Sequence, residues 1–114
     1  MRKELITSNE QACCPSVSHS ILETSFAQET SNLLAALADP TRLAILSLLA
    51  KDKQSEICVC DITTSFKLGQ PTISHHLKIL RDNGFIRGVK RGKWVYYSLI
   101  QGRLEEVKSR LDQL

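Results

Sequence analysis

The feature that most restricts this fold is a change of hydrophobic period at Asn83-Gly84. Before it, Ile73, Leu77 and Leu80 recur at the three- and four-residue spacing of one helix face. After it, apolar and β-branched residues from Phe85 to Leu99 flank Arg91-Gly92, the pattern of a two-stranded hairpin. Asn-Gly stops the helix, and Gln70-Pro71 opens it, with Pro71 expected at its first position. A short helix thus runs directly into a hairpin, and no βαβ pattern accompanies it.

The upstream chain reads as helices. Leu22, Phe26, Leu33 and Leu37 share one face. Asp39-Pro40 ends that helix and starts a second, because Asp caps well and Pro fits a first turn. Leu43, Leu46 and Leu49/Ala50 are its expected apolar stripe. Lys51 to Ser55 reads as a polar loop, Glu56 to Phe66 as a short helix broken by Gly69. Gln101 to Leu114 returns to helix, with Leu104, Val107 and Leu111 on one side. Residues 1–20 are polar and aperiodic, with Pro15 and four Ser, and are expected to form a flexible cysteine-containing arm. Residues 21–114 form the expected folded domain, mainly α with a β-hairpin. At 114 residues the chain has room for one domain and not for a large enzyme with a deep active site. Its core is modest, so dimerisation would help it. No apolar run approaches the roughly 18 residues of a membrane span, and residues 1–20 lack a signal-type apolar core. A cytoplasmic location without membrane contact is expected.

Charge is segregated along the chain. Residues 1–66 carry five Lys/Arg against eight Asp/Glu. Residues 67–93 carry seven cations (Lys67, Lys78, Arg81, Arg87, Lys90, Arg91 and Lys93) against Asp82 alone. Such a block suits a polyanionic partner, although a solvated charged face has the same composition. Its position decides between them. Two short helices joined by a glycine-containing turn make a helix-turn-helix candidate. The second helix offers Gln70, Thr72, Ser74, His75, Lys78 and Arg81 around its buried stripe, groups that reach base edges and phosphates. The hairpin that follows carries Lys90, Arg91 and Lys93 around its glycine turn, a basic wing suited to a phosphate backbone. The expected architecture is a winged helix-turn-helix that binds double-stranded DNA. Of His75-His76, one is expected packed and one solvated, since neighbouring helical residues diverge by about 100° and do not share an ion easily. Trp94, Tyr96 and Tyr97 read as hairpin packing.

Cys13, Cys14, Cys58 and Cys60 are the second constellation. Without an export signal, free thiols or metal ligands are favoured over disulfides. Close pairs make thiolate clusters for soft ions. Cys58 and Cys60 point about 200° apart if Ile57 to Ile62 is helical, so an ion bridging them should bend or unwind that helix. That is a physical route from ion to DNA affinity. Cys13 and Cys14 would fold over from the arm to complete the site.

Leu37-Ala38-Asp39-Pro40-Thr41-Arg42-Leu43, Glu56-Ile57-Cys58-Val59-Cys60-Asp61, Gln70 to Leu77 and Gly92-Lys93-Trp94-Val95-Tyr96-Tyr97 resemble the ArsR/SmtB family of bacterial metalloregulatory repressors, over about residues 30–100. The resemblance implies a homodimer that represses a metal-resistance operon and leaves its operator on binding metal. The Cys-Val-Cys-Asp element looks like the thiolate site of the family's arsenic and cadmium/lead sensors. A third cysteine found in many arsenic sensors is replaced by Thr63. The family's alternative zinc site on the last helix is not supported, because Gln101 to Leu114 has no histidine. Arsenite and antimonite take three thiolates in a pyramid, which an adjacent pair plus one thiolate of the Cys-x-Cys would supply. As(III) or Sb(III) is therefore the expected inducer, with Cd(II), Pb(II) or Zn(II) as the alternative, and no organic cofactor. Three rivals remain: a thiol-redox-sensing repressor, a metal buffer, and a small thiol enzyme. The enzyme would need a low-pKa cysteine, typically in Cys-x-x-Cys on an α/β scaffold, so the chain is expected not to be one.

Overall fold

The computed structural model describes residues 20–51 and 56–114. Their order is α1 (Thr24–Leu37), α2 (Pro40–Lys51), β1 (Ile57–Cys58), α3 (Val59–Ser65), α4 (Gln70–Asp82), β2 (Ile86–Arg91), β3 (Trp94–Leu99) and α5 (Gln101–Asp112). The three strands form an antiparallel sheet in the order β1-β3-β2. The expected winged helix-turn-helix is present: α3 and α4 are the helix pair, β2 and β3 the wing.

The joint between α1 and α2 shows how local chemistry builds the frame. Asp39 Oδ2 accepts from the backbone N–H groups of Thr41 (2.9 Å) and Arg42 (3.1 Å), satisfying two donors that the start of α2 leaves free. Partial burial pushes the Asp39 carboxyl up. The N–H groups of Arg42 and Thr41, aided by the charges of His76 and Arg42, outweigh that and hold it below the ordinary carboxylate range. Arg42 then turns back on α1, donating from Nε to the Ala36 carbonyl (2.6 Å) and from Nη2 to that of Ala35 (3.4 Å). Its Nη1 lies 3.1 Å from His76 Nδ1 on α4. One guanidinium therefore ties three helices, and Asp-Pro-Thr-Arg is a structural device.

The core is built from Leu33 and Ala36 of α1, Ile45, Leu46 and Leu49 of α2, Ile62, the Ile73/Leu77/Leu80 stripe of α4, Phe85, Ile86, Tyr97 and Val107. The stripe expected on α2 is corrected: Ile45 is fully buried and Leu43 is 52% exposed. At about 100° per residue, Ile45 and Leu49 lie on one side of Leu46 and Leu43 on the other. Two further expectations shift. Pro71 takes the second position of α4, since the helix begins at Gln70 after an uncapped Gly69. Glu56 to Phe66 is not one helix, because Ile57 and Cys58 pair with Tyr97 and Tyr96 before α3 starts at Val59. Leu22 and Leu111 are exposed in the single chain, so the stripes of α1 and α5, expected to be buried against each other and a partner subunit, are only partly covered by each other.

The turn from α4 into the wing is a Schellman motif. Gly84 N–H donates to the Arg81 carbonyl (3.0 Å) and Phe85 N–H to that of Leu80 (3.0 Å). Gly84 has φ 80°, a left-handed conformation that costs glycine nothing. Phe85, fully buried, follows at once. Gly92, at φ 64°, occupies the first central position of the two-residue loop between Arg91 and Trp94, where strand twist demands a positive φ.

Candidate nucleic-acid interface and thiol pair

The exposed side of α4 carries the expected groups. Gln70, Thr72, Ser74, His75, Lys78 and Arg81 all face solvent. The backbone N–H groups of Gln70 and Thr72 precede the first helical bond, Ile73 N–H to the Gly69 carbonyl (3.1 Å). They leave the N-terminal end of α4 with free donors that could meet an anion. Lys78 is bonded to Asp82 (2.8 Å), and Arg81 reaches within 3.6 Å of that carboxylate. Both pairs are exposed, and such pairs are weak enough to yield to a phosphate. His75 is solvent-facing and His76 half-buried against Arg42, the division expected of the pair.

The wing divides its cations. Lys90 is exposed on β2, and Lys93 at the turn lies 5.5 Å from the Trp94 ring. Trp94 is 43% exposed at the wing tip, which departs from simple hairpin packing, whereas Tyr97 is buried. Arg91 is engaged. Its guanidinium grips Glu56 through both carboxylate oxygens, Nη2 to Oε2 at 3.1 Å, and lies 5.2 Å over the Tyr96 ring. The Arg91 hydrogen bond holds the Glu56 carboxyl below its ordinary range, and Arg87 adds to the effect.

Cys58 and Cys60 sit where β1 becomes α3. Cys58 is buried and extended (φ −63°, ψ 141°), and it caps α3: its sulfur accepts from the Cys60 N–H at 3.4 Å. The helical premise of the expected divergence therefore fails. With Cys58 extended and Cys60 in the first turn, it is the Cys60 backbone N–H that meets the Cys58 sulfur. The neighbouring Cys58, partial burial and the charge of Asp61 push the Cys60 thiol up, against a lowering Asp61 N–H.

Among the described residues no group of three His, Cys, Asp or Glu is placed to hold an ion. Cys13 and Cys14, the remaining expected ligands, lie outside the described residues.

The bacterial regulatory protein, arsR family, model matches residues 39–87. An uncharacterised HTH-type transcriptional regulator of Methanocaldococcus jannaschii is 40% identical over 87 residues, 76% of this chain and 96% of that protein. The chain belongs to the ArsR family. An arsenical resistance operon repressor of Staphylococcus xylosus is 40% identical over 85 residues, covering 75% of this chain and 79% of the relative. A homolog of the cadmium resistance transcriptional regulatory protein from Staphylococcus aureus is 38% identical over 71 residues, 62% of this chain and 57% of its own length. The crystal structure of an ArsR family transcriptional regulator superposes with a TM-score of 0.68 at 26% identity, covering 76% of this chain and 87% of that one. These relatives are transcriptional regulators and not enzymes, and the family implies binding to operator DNA. No single helix among the described residues is long and apolar enough to cross a membrane.

Proposed function

We propose that this ArsR-family repressor is a homodimer that holds operator DNA until As(III) or Sb(III) is bound through Cys58, Cys60 and one or both of Cys13 and Cys14. The observation that carries it is the position of the thiol pair. Cys58 is at once a strand residue paired with Tyr96 of the wing and the cap of α3, the helix packed against α4. Gathering these sulfurs bears on both halves of the DNA-binding surface. Both thiols must lose their protons for the ion, which then supplies sulfur–metalloid bonds in their place. The arsenical-resistance relative favours the metalloid. The exposed Leu22, Leu34 and Leu111 on and beside α1 and α5 suit burial against a second copy. A dimer places one α4 in each of two major-groove half-sites. In this reading residues 1–20 are the ligand-bearing arm and 21–114 the DNA-binding domain, acting in the cytoplasm.

The deciding experiment uses a labelled duplex that the full chain selects from a random-sequence pool. Arsenite, antimonite, cadmium, lead and zinc are added in parallel. Arsenite and antimonite should release the duplex at the lowest concentrations. Retention with every ion present would overturn the proposal, and release by cadmium or lead first would move it to the alternative ion class. Affinity for the same duplex should fall by about 0.9 log unit per log unit of salt for each phosphate contact. Ser74→Ala and His75→Ala should each weaken it by about 1–3 kcal/mol if the side chain reads a base, with lost preference at one position. Unchanged affinity in a gel-shift titration removes that residue from the interface.

A further inference from the structure

We infer that Glu56 acts as an internal phosphate mimic, holding Arg91 away from the DNA backbone so that operator and Glu56 compete for one guanidinium. The inference rests on the DNA-binding reading and extends it to a residue not expected from the sequence to act on the interface.

The geometry makes the competition direct. A carboxylate gripping both Nη atoms uses the fork that a phosphate would use, since Arg recognises both anions in the same bidentate way. The Tyr96 ring lies 5.2 Å from the guanidinium on one face, and the rest of the group stays open to solvent. Paired with Glu56, Arg91 contributes almost no net charge to the wing, while Lys90 and Lys93 at its sides keep theirs free of any carboxylate among the described residues. The pair is partly exposed, with Arg91 at 55% and Glu56 at 31%. Exchange with a phosphate therefore needs no opening of the core. Glu56 also stands immediately before β1, two residues from Cys58. The contact that occupies the wing cation thus starts from the strand that carries a proposed ligand.

The test compares the full-length wild type with Glu56→Gln, Arg91→Ala and the double variant, each titrated onto the same selected duplex at several salt concentrations. Glu56→Gln keeps the shape of the side chain and removes its charge. Its slope should steepen by about 0.9 per subunit, one recovered phosphate contact, which is roughly an eightfold gain per subunit between 1 M and 0.1 M salt. In the Arg91→Ala background the gain should vanish. Arg87, also near Glu56, is then excluded as its source. A Glu56→Gln slope equal to wild type overturns the inference, and so does a gain that survives without Arg91. Salt-insensitive binding by the wild type would instead strike the DNA-binding reading itself, so the two failures are distinguishable. Matching thermal melts of all four proteins would show that the changes are not effects on folding.

Discussion

Cys58→Ser should leave operator affinity unchanged and abolish release by arsenite. The structure explains why the two readouts separate. Cys58 caps α3 through its sulfur, and serine is among the preferred N-cap residues, so the start of α3 should be kept or tightened. The site is buried, but the oxygen is smaller than the sulfur it replaces and brings no charge. A hydroxyl is a poor ligand for a thiophilic ion and cannot replace a thiolate at neutral pH. A ligand-to-DNA coupling of about 1–3 kcal/mol, about 5- to 150-fold in affinity, should therefore collapse to a ratio near one. Reciprocity adds a second check: in the wild type, saturating operator must weaken arsenite binding by the same factor by which arsenite weakens operator binding. Release of the serine variant at wild-type arsenite concentrations would remove Cys58 from the site.

The fold was legible wherever one local signal spoke without competition. The α4 stripe, the Asn83-Gly84 stop and the Arg91-Gly92 turn all appear as the sequence pattern implies, because each rests on backbone geometry that few residues tolerate. The thiol pair was legible as residues but not as geometry. Periodicity sees Glu56 to Phe66 as helical, and a two-residue strand is too short to show a period of two. What makes β1 is its partner, since Ile57 and Cys58 complete an antiparallel ladder with Tyr97 and Tyr96, about forty residues away in the chain. The Arg91–Glu56 grip escaped for the same reason: charge counting finds seven cations in residues 67–93 but cannot say which of them a distant carboxylate already holds. The burial of Ile45 instead of Leu43 was a matter of helix phase, fixed by where Asp39 starts α2. A Glu standing immediately before the Ile57–Cys58 strand, combined with an Arg at the tip of a paired hairpin, is the signal that would have found the grip.

Phe85→Ala should be the most damaging single change in the described domain. The ring is fully buried at the joint between α4 and the wing. The same residue's backbone donates to the Leu80 carbonyl (3.0 Å) and accepts from Ile100 N–H (2.8 Å), so the joint also links to the start of α5. Because those bonds hold the backbone in place, the neighbours cannot readily collapse into the void. The loss should fall in the range of about 3–5 kcal/mol found for buried aromatic truncations. Against the roughly 5–15 kcal/mol that keeps a domain of this size folded, that is a large fraction. Urea melts should show a lower midpoint with an unchanged slope, the mark of lost stability without a change in the surface exposed on unfolding. Phe85→Leu should lose less, because most of the volume stays filled. The functional consequence follows from position: Ile73, Leu77 and Leu80 seat α4 on its buried face, and Phe85 fixes where the wing leaves it. Operator binding by the alanine variant should therefore fall by more than its unfolded fraction explains, since α4 and the wing no longer keep one angle. A loss of stability below about 1 kcal/mol would mean that the ring does not fill the joint. A DNA-affinity loss equal to the unfolded fraction would mean that the angle of the wing does not matter to the grip.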